Sequence, residues 1–344
     1  MSLDFLIVLA CSVLGLLAHG SRQQSWLAWI LRAIIGISLG AELLTIVGWS
    51  EVESGSRWGL NVLVATSACT ALLLFFPVRA GLSYLLSVVE QFFSGQALIA
   101  ALRRANVLKS FLAERVFVPS SMPHLVALWI YVTTAGFLIG SIDPNGMNLP
   151  SLPIPLPVQI DTLLSYNGLG LVMLAACGVG IFVSRAFPET LRRLALVKPT
   201  LAQVGIGLGL VLVTFAYDAA WAYVTHQMPG NLASKLAGYN AGTFTAGGAL
   251  GPSALVALAT ALCAGIGEET LIRGALQPAF GLLPAAVLHG LLHGQFNHAP
   301  IFMIQVAGWS TLMGITRRYT NTTTTIIGHA GFNFFTTFLF AFNP

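Results

Sequence analysis

Long apolar runs broken by short polar stretches dominate the chain. Ten of them approach the length of a bilayer-crossing helix: 3–18, 26–48, 58–77, 124–140, 161–184, 201–225, 254–272, 284–298, 300–316 and 322–341. A helical crossing needs about 20 apolar residues. In lipid the backbone has to satisfy its own hydrogen bonds, so such a run folds as helix. The predicted class is all-α, a polytopic transmembrane bundle of about ten apolar helices. The eighth run is short and sits between Pro284 and Pro300, so a buried or tilted helix is expected there. Two connections differ in character. Residues 143–161 are rich in proline and read as an extended loop. Residues 83–118 alternate apolar clusters with Arg103, Arg104, Lys109 and Arg115, the pattern of an amphipathic helix lying on a membrane face or packed on the bundle.

Composition sharpens the class. Hydrophobic residues make up 56% of the chain and charged residues 8%, against about 25% charged in a typical soluble domain. The first run has no Lys or Arg ahead of it, which predicts a retained span and not a cleaved secretory signal. Cys11, Cys69, Cys177 and Cys263 all lie in apolar runs without a CxxC pair, so a disulfide framework or zinc ribbon is not expected. The net charge of +4 points to no nucleic-acid surface. Its distribution carries orientation instead. With both termini outside, the inner loops hold nearly all the Lys and Arg, and the outer loops hold Arg57 and Lys235. Arg far outnumbers Lys, and Ala and Gly abound, so the expected location is a bacterial cytoplasmic membrane.

Against this background Glu268, Glu269 and Arg273 in "AGIGEETLIRGALQ" stand out. Charge in lipid is costly and tends to have a task. Glu269 and Arg273 are four apart and share a helix face, which predicts an ion pair. Glu268 sits about 100° around the helix and is free for chemistry. Two further polar pairs occur in the last runs. His289 and His293 are four apart in "VLHGLLHGQFNH", and His329 and Asn333 are four apart in "GHAGFNFF". At about 1.5 Å per residue, Glu268, His293 and His329 lie roughly 6, 13 and 10 Å from the inner ends of their runs. They are therefore expected to meet in the inner half of the membrane, with His298 too far outward to join. Such a set suits water activation: a shielded carboxylate as base, a histidine to share the proton, and His and Asn donors for an oxyanion.

The same residues carry a resemblance. "EETLIR" is similar to the EExxxR motif of the CAAX-protease and bacteriocin-processing (CPBP) family of intramembrane glutamic endopeptidases. "HGLLH" resembles its FxxxH motif, and "HAGFN" its HxxxN motif. The resemblance covers roughly residues 190–344, a CPBP-like protease domain. It leaves residues 1–189 as an N-terminal transmembrane region containing the 83–118 segment. It implies that Glu268 and His293 activate water, that His329 and Asn333 stabilise the oxyanion, and that Glu269 and Arg273 order the site or touch the substrate. His289 replaces the family's usual aromatic. It is expected to hydrogen-bond within the bundle, with the alternative that His289, His293 and His329 hold zinc. The expected activity is cleavage of a membrane-associated protein or peptide near the cytoplasmic face, with no cofactor. The alternatives are a proton-coupled transporter using the buried Glu/His cluster, and a catalytically idle membrane scaffold.

Overall fold

The computed structural model describes residues 3–50, 57–93, 117–143, 162–226 and 254–342. It is all-α, and the one extended pairing among the described residues is an isolated bridge between Ile181 and Arg185. In chain order come α1 (Leu3–Gly20), α2 (Ser25–Ser50), α3 (Arg57–Leu73), α4 (Phe76–Phe93) and α5 (Met122–Gly140). A π-helical stretch, Leu163–Gly170, then runs into α6 (Leu171–Gly178). The short α7 (Phe187–Arg193) precedes α8 (Leu201–His226). Next, α9 (Ala254–Glu269) passes through a π-helical turn, Thr270–Leu276, into α10 (Gln277–Phe280). The chain closes with α11 (Leu282–Leu292), α12 (Ile301–Tyr319) and α13 (Thr322–Phe342). Polar residues mark where helices begin. Thr200 and Gln203 exchange side-chain bonds with each other's backbone N–H at 3.3 and 3.0 Å, a capping box opening α8. Asn321 accepts from the Thr324 N–H at 2.8 Å and opens α13.

The protein is an integral membrane bundle, but the ten apolar runs do not become ten matching spans. Among the described residues three helices are individually long and apolar enough to cross: Ser25–Gly48, Met122–Gly140 and Leu201–His226. A fourth is gained if α3 and α4 count as one bent span. Elsewhere length or polarity intervenes. The run expected over 161–184 leaves the helix at Gly178, because Gly180 at φ +87° starts a tight turn. The run over 284–298 is helical only from Leu282 to Leu292. α12 ends in Arg317 and Arg318, and α13 opens on four threonines. Packed neighbours supply hydrogen bonds to such residues, so helices inside a bundle need not be uniformly apolar.

α4 covers residues 83–93 of the 83–118 segment; residues 94–116 lie outside the described residues. It begins earlier than expected, at Phe76, and turns 102° from α3. Arg79 holds that corner by donating to the carbonyls of Leu73 (2.6 Å), Leu74 (3.0 Å) and Pro119 (2.9 Å). Glu90 accepts from the Leu282 N–H at 2.9 Å, where Gly281 at φ +91° leaves the first turn of α11 open, and it ion-pairs with Arg318 of α12. One face of α4 is thus tied to the bundle, while Tyr84, Leu85 and Val88 remain exposed. Most of the proline-rich 143–161 loop lies outside the described residues.

The helices near α9 come unusually close together. A Cβ on Gly267 would overlap the carbonyl oxygen of Asn167 in the first π-helical stretch. One on Gly290 would overlap that of Met303 in α12. Small residues let membrane helices approach backbone to backbone. Beneath the second π turn an apolar cluster of Leu171, Ala175, Leu194, Ile272 and Ala285 packs α6, the end of α7 and α11 against it.

Candidate active site

α9 delivers two adjacent carboxylates to the interior, and the helix then widens. In the 270–276 turn Arg273 is completely buried, as is Glu269, with Nε and Oε2 3.3 Å apart. Glu268 faces a different helix. Its Oε2 lies 2.8 Å from Nε2 of His289 on α11. His289 is itself fully buried, whereas the Glu268 side chain keeps 12% exposure.

The second motif departs from the helix geometry that its spacing predicts. α11 stops at Leu292, so His293 is its cap (φ −82°, ψ +57°) and not a residue on the same face. The His293 N–H bonds Gly290 O at 3.2 Å, an i−3 contact. That leaves the His289 carbonyl without its usual i+4 partner. The ring of His293 takes over, with Nδ1 2.9 Å from that oxygen. A carbonyl only accepts, so Nδ1 carries hydrogen and the neutral ring keeps its lone pair on Nε2. The two rings stand edge to face at 5.2 Å between centroids.

α13 supplies the third motif. His329 is buried, with Nδ1 3.1 Å from Oε1 of Glu269. Trp309 of α12 meets its ring edge-on at 4.7 Å and donates from Nε1 to Thr214 at 3.0 Å. Asn333 lies one turn further along α13 and is half-buried; no hydrogen bond among the described residues joins it to the rest.

Two adjacent clusters result. Glu268, His289 and His293 each offer a ligand atom within 4.8 Å of the other two. Glu269, Arg273 and His329 form the second cluster, linked to the first by Arg273 Nη2, 3.4 Å from His289 Nδ1. His298 lies apart, 3.5 Å from Asp143. The atoms within metal-binding reach among the described residues are therefore those of Glu268, His289 and His293, and not the three-histidine set kept as the alternative to a metal-free site. A cation bound to His289 Nε2 would place the neutral ring's hydrogen on Nδ1, where the N–H of Arg273 already points. That donor opposition fits a hydrogen-bonding role for His289 better than a ligand role.

Sequence reasoning missed Ser310 and Trp309. Ser310 Oγ lies 3.2 Å from His289 Nδ1 and is fully buried. Neither residue belongs to a motif. The one signal for them is periodicity: Phe302, Met303, Trp309, Met313, Gly314 and Arg317 line the buried stripe of α12, and Ser310 falls within it.

Residues 250–335 match the family model described as Type II CAAX prenyl endopeptidase Rce1-like. The resemblance of the three motifs to the CPBP family holds over that segment, which contains every residue of both clusters. No curated protein and no solved structure matches the chain.

Proposed function

We propose that this membrane protein is an intramembrane endopeptidase that hydrolyses a peptide bond with water activated by Glu268. The observation that carries the reading is the spacing of Glu268 and His293, both partly buried beside the fully buried His289, within 4.8 Å. Two hydrogen bonds through one water reach about 5.5 Å, so the carboxylate and the ring are close enough to share a single water.

On this reading Glu268 takes a proton from the bound water, and the water oxygen bonds to the scissile carbonyl carbon. The C=O π electrons move to oxygen, and His329 and Asn333 donate hydrogen bonds to that oxyanion. His329 already donates from Nδ1 to Glu269, so the oxyanion role requires a proton on Nε2 as well. Collapse of the intermediate breaks the C–N bond. The proton taken from water returns to the leaving nitrogen by way of Glu268 and His293, giving one acid and one amine. Glu269 and Arg273 hold His329 and the helix end in register. Residues 190–344 then form the catalytic part, and residues 1–189 the surrounding transmembrane part.

The proposed substrate is a membrane-associated protein or peptide entering from the cytoplasmic side of a bacterial inner membrane, the side that the Lys and Arg distribution assigns to the site. The test begins with membrane proteomes of cells carrying wild-type protein or Glu268→Ala. A protein should accumulate uncleaved in the variant, and a peptide from it should be cut by purified wild-type enzyme and not by Glu268→Gln. Cleavage by both would refute the mechanism. Proton-coupled flux in proteoliposomes without any cleavage would establish the transporter alternative.

A further inference from the structure

We infer that His289, which stands where the family motif carries an aromatic ring, is the positioning residue that holds Glu268 ready to act as base. This rests on the endopeptidase reading and adds a residue to it. Arg273 Nη2 lies 3.4 Å from His289 Nδ1, and a guanidinium only donates. Ser310 Oγ is 3.2 Å from the same nitrogen and has a hydrogen to give. Nδ1 is therefore the acceptor, and the ring's hydrogen sits on Nε2. That hydrogen points at Glu268 Oε2, 2.8 Å away. Glu268 is held at one oxygen by a fully buried ring, and its other oxygen is left to take the proton from water.

The consequence is directional. A glutamate side chain has three rotatable bonds, and a carboxylate about 1 Å out of place can lose on the order of a hundredfold in rate. An aromatic ring at position 289 would confine Glu268 by shape alone. His289 confines it through a donor whose tautomer is set from behind by Arg273 and Ser310. The Glu269–Arg273 ion pair thereby connects to the base, because Arg273 contacts both Glu269 and His289. His289 touches neither water nor substrate in this scheme and acts only through Glu268.

The experiment compares His289→Phe, His289→Gln and Ser310→Ala in purified full-length protein. It measures kcat and KM separately on a peptide from the protein that accumulates in Glu268→Ala cells, and thermal unfolding in detergent. His289→Phe should lower kcat by about ten- to a hundredfold with KM unchanged. His289→Gln presents an N–H near the position of Nε2 and should recover most of that loss. Ser310→Ala should lower kcat a few-fold. Unchanged kcat in a folded His289→Phe protein overturns the inference. If His289→Phe does not fold, unchanged kcat in Ser310→Ala overturns it instead. Failure of the endopeptidase reading looks different: Glu268→Gln would then remain active whatever position 289 carries.

Discussion

α2 and α9 both carry carboxylates within apolar helices, and the protein accommodates them in opposite ways. On α2, Glu42 is half-buried and accepts from Ser67 of α3 at 2.8 Å and from Ser38, one turn back, at 3.5 Å. α2 is mostly exposed, and its Ile37 and Leu44 are more than 70% exposed. On α9 the carboxylates are walled in. Glu269 has no exposure, and within hydrogen-bonding or ion-pairing distance the two acids meet Arg273, His289 and His329. On the exposed α2 the acid is held by two neutral hydroxyls, one from its own helix and one from α3. A helix enclosed by protein can gather a charge network, because neighbouring helices and not lipid supply the partners. The matched segment 250–335 is this enclosed region, and α2 lies outside it.

Four substitutions and one treatment sharpen the contrast. Glu268→Gln should cost about a thousandfold or more in kcat while leaving the unfolding temperature in detergent unchanged; a large drop in stability would show that Glu268 is structural. Glu269→Gln should destabilise by about 3–5 kcal/mol, because it strands a buried cation. Arg273 Nε and Nη1 have no hydrogen-bond partner among the described residues, so Glu269 is its main compensation. A stable Glu269→Gln protein would break the distinction between the two acids. Glu90→Ala removes the cap on α11 and the partner of Arg318, and should cost about 1–2 kcal/mol in thermal unfolding. At α2, Glu42→Gln should change stability by about 0.5 kcal/mol or less and leave kcat untouched; a large effect would place that acid in the functional network. Exhaustive dialysis against a strong chelator should not alter kcat. Activity lost on stripping and restored by zinc would overturn the hydrogen-bonding role of His289.

Helical class and the motif residues were legible because they are local properties. Apolar runs announce helices, and a spacing of four announces the Glu269–Arg273 pair. What the spacing concealed was where helices depart from regular geometry. His289 and His293 read as one helical face, yet α11 stops between them and a side chain replaces the missing backbone bond. The spacing also left open which group Glu268 would bond directly, and that group is His289. That bond depends on how α9, α11 and α12 approach one another. The approach is governed by Gly290 against Met303 and by Ser310 behind the ring, contacts between residues far apart in the chain. The Gly281 break and its closure by Glu90 were hidden for the same reason, since Glu90 lies 192 residues from Leu282.

The π-helical turn at 270–276 makes chain length a determinant in its own right. A π turn holds one more residue than the α turn it replaces. Removing one residue from this stretch lets it relax to an α turn that spans the same angle, whereas a residue removed from a regular α-helix rotates the downstream chain by about 100°. Glu268 and Glu269 lie on one side of the turn. On the other is Gln277, which donates to the Gly314 carbonyl of α12 at 2.9 Å. A one-residue deletion among 270–272 would therefore keep the acids facing α11 and α13 but move Arg273 from four residues to three after Glu269, altering the geometry of their ion pair. Over these seven positions the extra residue sets where Arg273 sits, so its removal tests the ion pair without changing any side chain of the motif.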